Sequence, residues 1–332
     1  MSVTRILPRA GGEAAERRGR LDADRLGQSV GVLPVLVLLV VVMGFAAPNF
    51  LTVDNFWEVT RQVSVNAILA MGVTFVIMTA GIDLSVGSVL GVAAMVALLL
   101  ADGGSPPLLS LAAALAAGAA IGLLNGLLVS RLRLASFIVT LAALTYGRGL
   151  VYVGTDGSTV TPPEVGFAWL GSGTVGDVPV PVIVMVVVFA LLWFLLNRTV
   201  FGLRVRAVGG NEEAARLSGV PVKRVLTRVY VVSGLCAGIA GLILAARLQS
   251  AAPDLGAGYE LNAIAAVVLG GTSLMGGRGS LVGTLVGAMI IGVLSNGLVL
   301  MDVPSFWQQL IQGVVILVAV VADRLRTVAR ES

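Results

Sequence analysis

Ten apolar runs follow one another along this chain, at about 30–47, 62–81, 86–101, 108–129, 134–153, 180–197, 225–246, 262–273, 281–300 and 306–322. Most hold 16 to 22 residues, and a helix rising 1.5 Å per residue crosses a hydrocarbon layer of about 30 Å with such a length. The run 262–273 is short and is expected to be broken or slanted. The fold class that follows is all-α, a polytopic membrane protein of about ten transmembrane helices. Composition agrees. With 57% hydrophobic and 12% charged residues and a mean hydropathy of +0.98, a water-soluble globule would carry more apolar surface than its core could hide.

Orientation is written in the basic residues. Most of the 22 Lys and Arg gather in four stretches, the tail 1–29, the turn 130–133, the loop 198–228 and the end 323–332. Cationic loops stay on the cytoplasmic side of a bilayer. Ten spans with the Arg-rich tail inside put both termini and the gaps 82–85, 130–133, 198–224 and 274–280 in the cytoplasm of a bacterial inner membrane. The opposite gaps carry Asp54, Glu58, Asp102, Asp156, Glu164, Asp177, Asp254, Glu260 and Asp302, against which stand only Arg61 and Arg247. Acids count little in the orientation rule, so the scarcity of Arg is the stronger half of that contrast. The net charge of +4 faces anionic headgroups of membrane lipid, and no nucleic-acid partner is expected.

The domain plan has a cytoplasmic arm over 1–29, a transmembrane domain over 30–323 with a cytoplasmic loop at 198–224, and a tail over 324–332. The arm reads as disordered, and its charged region is too long for a cleaved signal peptide followed by so many spans. One Cys and no His exclude a disulfide framework, His-rich metal sites and His-dependent triads. Cys236, inside an apolar run, is expected to pack. No catalytic residue, metal or cofactor is expected in this chain.

An internal echo joins the halves. Asn125-Gly126-Leu127 lies late in the fourth run and precedes Ser136-Phe137, while Asn296-Gly297-Leu298 lies late in the ninth and precedes Ser305-Phe306. An offset of five spans is odd, so the copies must have opposite orientation, as in the inverted five-helix repeats of many transporters.

The loop 198–224 is the densest polar segment between spans. Gly209-Gly210 allow a bend, Asn211 can cap a short helix, and Glu212 and Glu213 suit its positive end. Gly219 with Pro221 ends it. The segment is either a solvated connection or a docking knob for a cytoplasmic partner, with Arg216 on its surface.

Three stretches carry a resemblance: Ala80-Gly-Ile-Asp83-Leu-Ser85-Val-Gly87-Ser88, Gly210-Asn-Glu-Glu-Ala-Ala-Arg216-Leu-Ser-Gly219-Val and Leu269-Gly-Gly-Thr-Ser-Leu-Met-Gly-Gly-Arg278-Gly-Ser. In this order they resemble the membrane permease subunits of ribose-type sugar ABC importers, over about residues 30 to 323. The resemblance implies a permease dimer of identical or different subunits, cytoplasmic ATP-binding subunits, and an extracytoplasmic sugar-binding protein that delivers substrate. It also implies that Asn211 to Pro221 is the coupling helix received by a cleft of the ATPase. The residues agree that this chain is not the motor. A phosphate-cradling Walker loop ends in Gly-Lys-Ser/Thr, and the sole Lys, Lys223, sits in Gly219-Val-Pro-Val-Lys-Arg.

Asp83 beside a span is either costly or purposeful. Gly81 is expected to end the second run. Asp83 or Ser85 then either caps the third at the cytoplasmic edge or forms part of an ATPase-facing gate. The turn Gly276-Gly277-Arg278-Gly279-Ser280 is either an anion nest or, better fitted to the topology, a flexible gate turn. Arg148 either snorkels to headgroups or meets an acid of an outer loop or a docked binding protein. The polar groups available to line a sugar path are sparse, chiefly Asn66, Asn125, Thr140, Asn296 and Gln308, with Thr74, Thr145, Thr284, Gln309 and Gln312. Such groups more often bond a neighbouring helix. Two rivals stand beside the sugar importer: an ion-coupled secondary carrier, which the scarcity of buried ionisable groups opposes, and a lipid or amino-acid permease of the same importer architecture.

Overall fold

The structure, a computed structural model, describes residues 32–315 together with 317 and 321. The arm 1–29 and the tail 324–332 lie outside the described residues, as does most of the last run beyond 315. In chain order the helices are α1 (Leu33–Ala46), α2 (Val53–Met78), α3 (Val86–Asp102), α4 (Pro107–Arg131), α5 (Ser136–Gly154), the single turn α6 (Trp169–Ser172), α7 (Val180–Arg198), α8 (Val200–Gly210), α9 (Glu212–Leu217), α10 (Val222–Leu248), α11 (Tyr259–Leu269) and α12 (Leu281–Leu300), followed by helical residues 305–315. A two-residue antiparallel pair, β1 (Thr174–Val175) with β2 (Val178–Pro179), lies between α6 and α7.

As far as its residues are described, each apolar run has its helix. Among the described residues six helices, α2, α4, α5, α7, α10 and α12, are long and apolar enough to cross a membrane, while α1, α3 and α11 are shorter. Proline opens α1, α4 and α7 within their first two positions, where the missing N–H would have no partner in any case. Helix α2 starts nine residues before the apolar run that predicts it. Thr52 accepts a hydrogen bond from the Asn55 amide at 3.3 Å and Arg61 pairs with Glu58 one turn on, so polar turns that read as a gap are helical.

Helices α2 and α10 form the middle of the bundle. Helix α10 packs on α4, α3 and α2, and α2 packs also on α12, α11 and α7. The peripheral α1, α4, α5 and α7 turn Leu, Val and Phe side chains outward, the faces that suit lipid. Contact between α4 and α10 is made through glycine. A Cβ on Gly118 would lie 2.4 Å from the Gly234 carbonyl oxygen, and one on Gly122 would lie 2.4 Å from that of Tyr230. Backbones can approach so closely only where side chains are absent.

Among the interruptions between helices, two pack into the bundle against α3 and its neighbours, at 79–85 between α2 and α3 and at 249–258 between α10 and α11. Both carry buried or part-buried polar contacts.

Candidate functional site

Met78 ends α2 in a Schellman turn: the Ala80 amide donates to the Ile77 carbonyl at 2.9 Å and the Gly81 amide to that of Val76 at 3.1 Å. Ala80, not Gly81, takes the left-handed position, with φ of 60°. Gly81 is excluded from a larger side chain for another reason, since a Cβ there would lie 2.9 Å from the Tyr230 hydroxyl.

From this turn the chain enters the bundle. Asp83 is 2% exposed. Its Oδ1 accepts from the Ser85 amide at 3.0 Å and the Ser85 hydroxyl at 2.6 Å, and its Oδ2 accepts from the Ser233 hydroxyl at 2.8 Å. Ser233 is the twelfth residue of α10, about 16 Å along that helix at 1.5 Å per residue. Asp83 therefore belongs to the interior and not to an exposed edge. Nor does it cap α3, whose N-cap, Ser85, has no side-chain cap bond. Asn125 donates through Nδ2 to the Ser85 hydroxyl oxygen at 3.0 Å. The Thr140 hydroxyl donates to the Ile82 carbonyl at 3.1 Å, and the Ile82 amide to the Ser136 hydroxyl oxygen at 3.2 Å. Two sequence-predicted path residues, Asn125 and Thr140, thus meet Asp83 and Ser85 on one non-helical segment. Side chains from α5 satisfy the Ile82 backbone, and those from α4 and α10 hold the Ser85 and Asp83 side chains, as irregular backbone buried within a bundle requires.

The second break behaves alike. Residues 255–256 return against α3, where a Cβ on Gly91 would lie 2.7 Å from the Leu255 carbonyl oxygen and one on Gly87 would lie 2.5 Å from that of Gly256. Arg148 donates to the Leu255 carbonyl at 2.9 Å. Among the described residues its bonded partner is this carbonyl and not an acid of an outer loop. Glu260, placed by the sequence in an outer gap, is in the first turn of α11 with its Oε1 accepting from the Gly258 amide at 3.2 Å. The breaks bring the N-terminal ends of two short helices, α3 and α11, against each other.

The other path candidates stand apart. Asn66 on α2 has a buried Oδ1 with no partner among the described residues. Asn296 exchanges two hydrogen bonds with Asn55, at 2.9 and 3.0 Å, joining α12 to the start of α2. Gln308 donates to the Val303 carbonyl at 2.7 Å. Thr74 and Thr284 share a buried hydrogen bond of 2.9 Å between α2 and α12.

At the end of the bundle that carries α8 and α9, the Asn211 side chain accepts from the Ala214 amide at 2.9 Å and so caps α9. Glu212 and Glu213 occupy its first turn, and Arg216 pairs with Glu213. Gly219 has φ of 81° and closes the helix, with its own amide on the Arg216 carbonyl and the Val220 amide on that of Ala215. Pro221 is the N-cap position of α10. Helix α8 is fixed to α2 by the stacked rings of Phe201 and Phe75, 6.2 Å apart. A Cβ on Gly209 would lie 1.7 Å from the Met78 carbonyl oxygen and 2.6 Å from the Gly277 nitrogen. The Gly277 amide donates to that same Met78 carbonyl at 2.9 Å. Arg278 is exposed on the turn, and its carbonyl accepts from the Ser273 amide at 3.1 Å. The polar loop, the turn 276–278 and the start of the break 79–85 are one junction.

Ser233 was not distinguishable in the sequence, where a lone Ser in an apolar helix carries no signal, and Ser136 entered only through its echo with Ser305. The stripe Gly118, Gly122, Gly126 does carry one, its four-residue spacing. The pairing of Glu58 with Arg247 joins residues 189 positions apart.

A family model described as branched-chain amino acid transport system / permease component matches residues 55–320. The chain is similar to the ribose import permease protein of Bacillus subtilis (strain 168), 46% identical over 93% of this chain and 96% of that protein. It is 48% identical to the ribose import permease protein of Escherichia coli (strain K12), over 88% of this chain and 92% of the other. The D-allose transport system permease protein of the same organism is 38% identical over 89% and 91%. No solved structure matches.

Proposed function

This chain belongs to the permease-component family, among the ribose-type sugar ABC permeases, and from that premise we propose how it performs sugar import. It is the membrane subunit of a binding-protein-dependent importer. ATP-binding subunits and a sugar-binding protein are the partners this class implies. The proposed cargo is a monosaccharide of the ribose kind. The proposed assembly pairs two permease subunits over two ATPases, with Asn211 to Pro221 as the coupling helix, the loop 198–224 and both termini cytoplasmic, and ten spans in all.

Inverted repeats are part of this reading, and packing supports them. Exchanging α2 with α10, α3 with α11 and α4 with α12 turns the neighbours of one into those of the other: α10 lies on α4 and α3, and α2 on α12 and α11. Each repeat has its break after the long central helix. Half-helices whose N-terminal ends meet within the bundle are how transporters of this architecture build their substrate route. A sugar passing there would meet hydroxyl and amide groups, Asn125, Thr140 and Ser85 among them, that exchange hydrogen bonds with it at little cost. Alternating access follows from rocking one repeat against the other.

The observation that carries the coupling reading is Gly209 seated on the Met78 carbonyl. A displacement of α8 and α9 by ATPase closure moves the C-terminal end of α2, and with it the segment that holds Asp83. Helix α9 supplies the grip and the turn 276–278 the hinge. Gly219→Trp forces a bulky residue into the left-handed region, which costs roughly 1–2 kcal/mol and unwinds the end of α9. The expected result is loss of ATPase on co-purification and of sugar uptake, with the permease still in the membrane. ATPase retained at two copies per two permeases, and normal uptake, would count against a docking role.

A further inference from the structure

The nine acids of the outer gaps stand against Arg61 and Arg247 alone, and both arginines converge on a single carboxylate. Arg61 Nη1 lies 3.1 Å from Glu58 Oε2, and Arg247 Nη2 donates to Glu58 Oε1. Glu58 is in the second turn of α2 and Arg247 in the last turn of α10, so the pair ties together the central helices of the two halves at their outer ends. Arg247 also sits at a helix C-terminus, where a cation is favoured. We propose that Glu58 is the outer-gate residue of the transport cycle: its bond to Arg247 holds α2 on α10 and shuts the route from outside, and its release opens the route to the delivered sugar. The proposal rests on the importer reading above.

Two observations suit the pair to gating. The side chains of Glu58 and Arg247 are 41% and 29% exposed, so water and salt screen the bond, and such a pair can be broken by a docking event. The outer loop 155–179 is also clasped onto the same end of α10. Val160 and Ala251 exchange backbone hydrogen bonds of 3.0 and 2.9 Å, and α6 lies so close that a Cβ on Gly171 would be 2.2 Å from the Arg247 nitrogen. A protein that docks on this loop pulls directly on the backbone that carries Arg247.

The chain contains its own reporter. Cys236 is 3% exposed and lies in the seam between α10 and α2, where a Cβ on Gly72 would be 3.1 Å from its Sγ. Intact cells expressing the full chain are treated with a membrane-impermeant maleimide, and the rate of Cys236 labelling is read by mass shift. In Glu58→Gln and Arg247→Gln the rate is expected to rise about twofold to fivefold, the range for losing a half-exposed ion pair. Asp54→Asn, which removes an exposed acid from the same helix end, leaves it unchanged. The wild-type rate rises with added salt, which screens the pair, and this measurement needs no variant to fold. Unchanged labelling in both Gln variants, an equal rise in Asp54→Asn, or a flat salt response would each overturn the proposal. Labelling reads the chain alone, whereas sugar uptake with the ATPase and binding protein tests the importer reading. Absent uptake with salt-sensitive labelling would sink that reading and leave the latch standing.

Discussion

Asp83 concentrates the interior chemistry at a single residue. It accepts from one amide and two hydroxyls, and a carboxylate with three donors is well held even away from water. Asp83→Ala leaves those donors buried without an acceptor, at a cost of about 3 kcal/mol. The expected outcome is a lower unfolding temperature in nanodiscs, with sugar uptake falling alongside it. Asp83→Asn keeps one acceptor oxygen and is expected to lie between Asp83→Ala and the wild type. An unfolding temperature unchanged in Asp83→Ala would refute the account of this network. The sequence marked Asp83 and Ser85 as unusual, since an acid beside a span needs a reason. It could not say that Ser233 would answer, because a serine in a helix reads the same whether it bonds its own backbone or another chain segment.

At the scale of elements, the α4–α10 seam depends on absent side chains. Gly122→Ala would bring a Cβ to 2.4 Å from the Tyr230 carbonyl oxygen. Both backbones must separate, so most of the protein is expected to be lost from the membrane fraction on detergent extraction. Gly149→Ala, where nothing lies within 4 Å of the added Cβ, is the matched control and is expected to behave as the wild type, measured by size-exclusion chromatography. Equal behaviour of the two variants would mean the seam tolerates spreading. Helix positions were legible from apolar runs because a long apolar segment has few other ways to be satisfied. The start of α2 at Val53 was not, because Thr52 capping and the Glu58–Arg61 pair let polar turns join a helix. How deeply the segments 79–85 and 249–258 pack against neighbouring helices was not legible either, since a short polar segment looks the same in sequence whether its surroundings are protein or solvent.

For the whole molecule, the proposed topology predicts that a reporter fused after residue 210 is found in the cytoplasm and one inserted at 176 outside. The opposite result would invert both the gate and the coupling assignments. Sequence alone determined that the chain is helical and membrane-embedded, roughly where each helix runs, that a polar capped helix stands at 211–219, and which motifs recur in order along the permeases it resembles. These are local properties: hydropathy, caps, turn residues and spacing act within a few residues of one another. Only the tertiary structure decided that Asp83 meets Ser233 150 positions away, that Arg148 serves the Leu255 carbonyl, that Asn296 locks onto Asn55 and not onto the Asp83 network, and that Arg61 and Arg247 share Glu58. Hydrogen bonds and ion pairs have a reach of about 3 Å, so their partners are fixed by how helices pack, and an apolar run carries almost no record of which face will meet which neighbour.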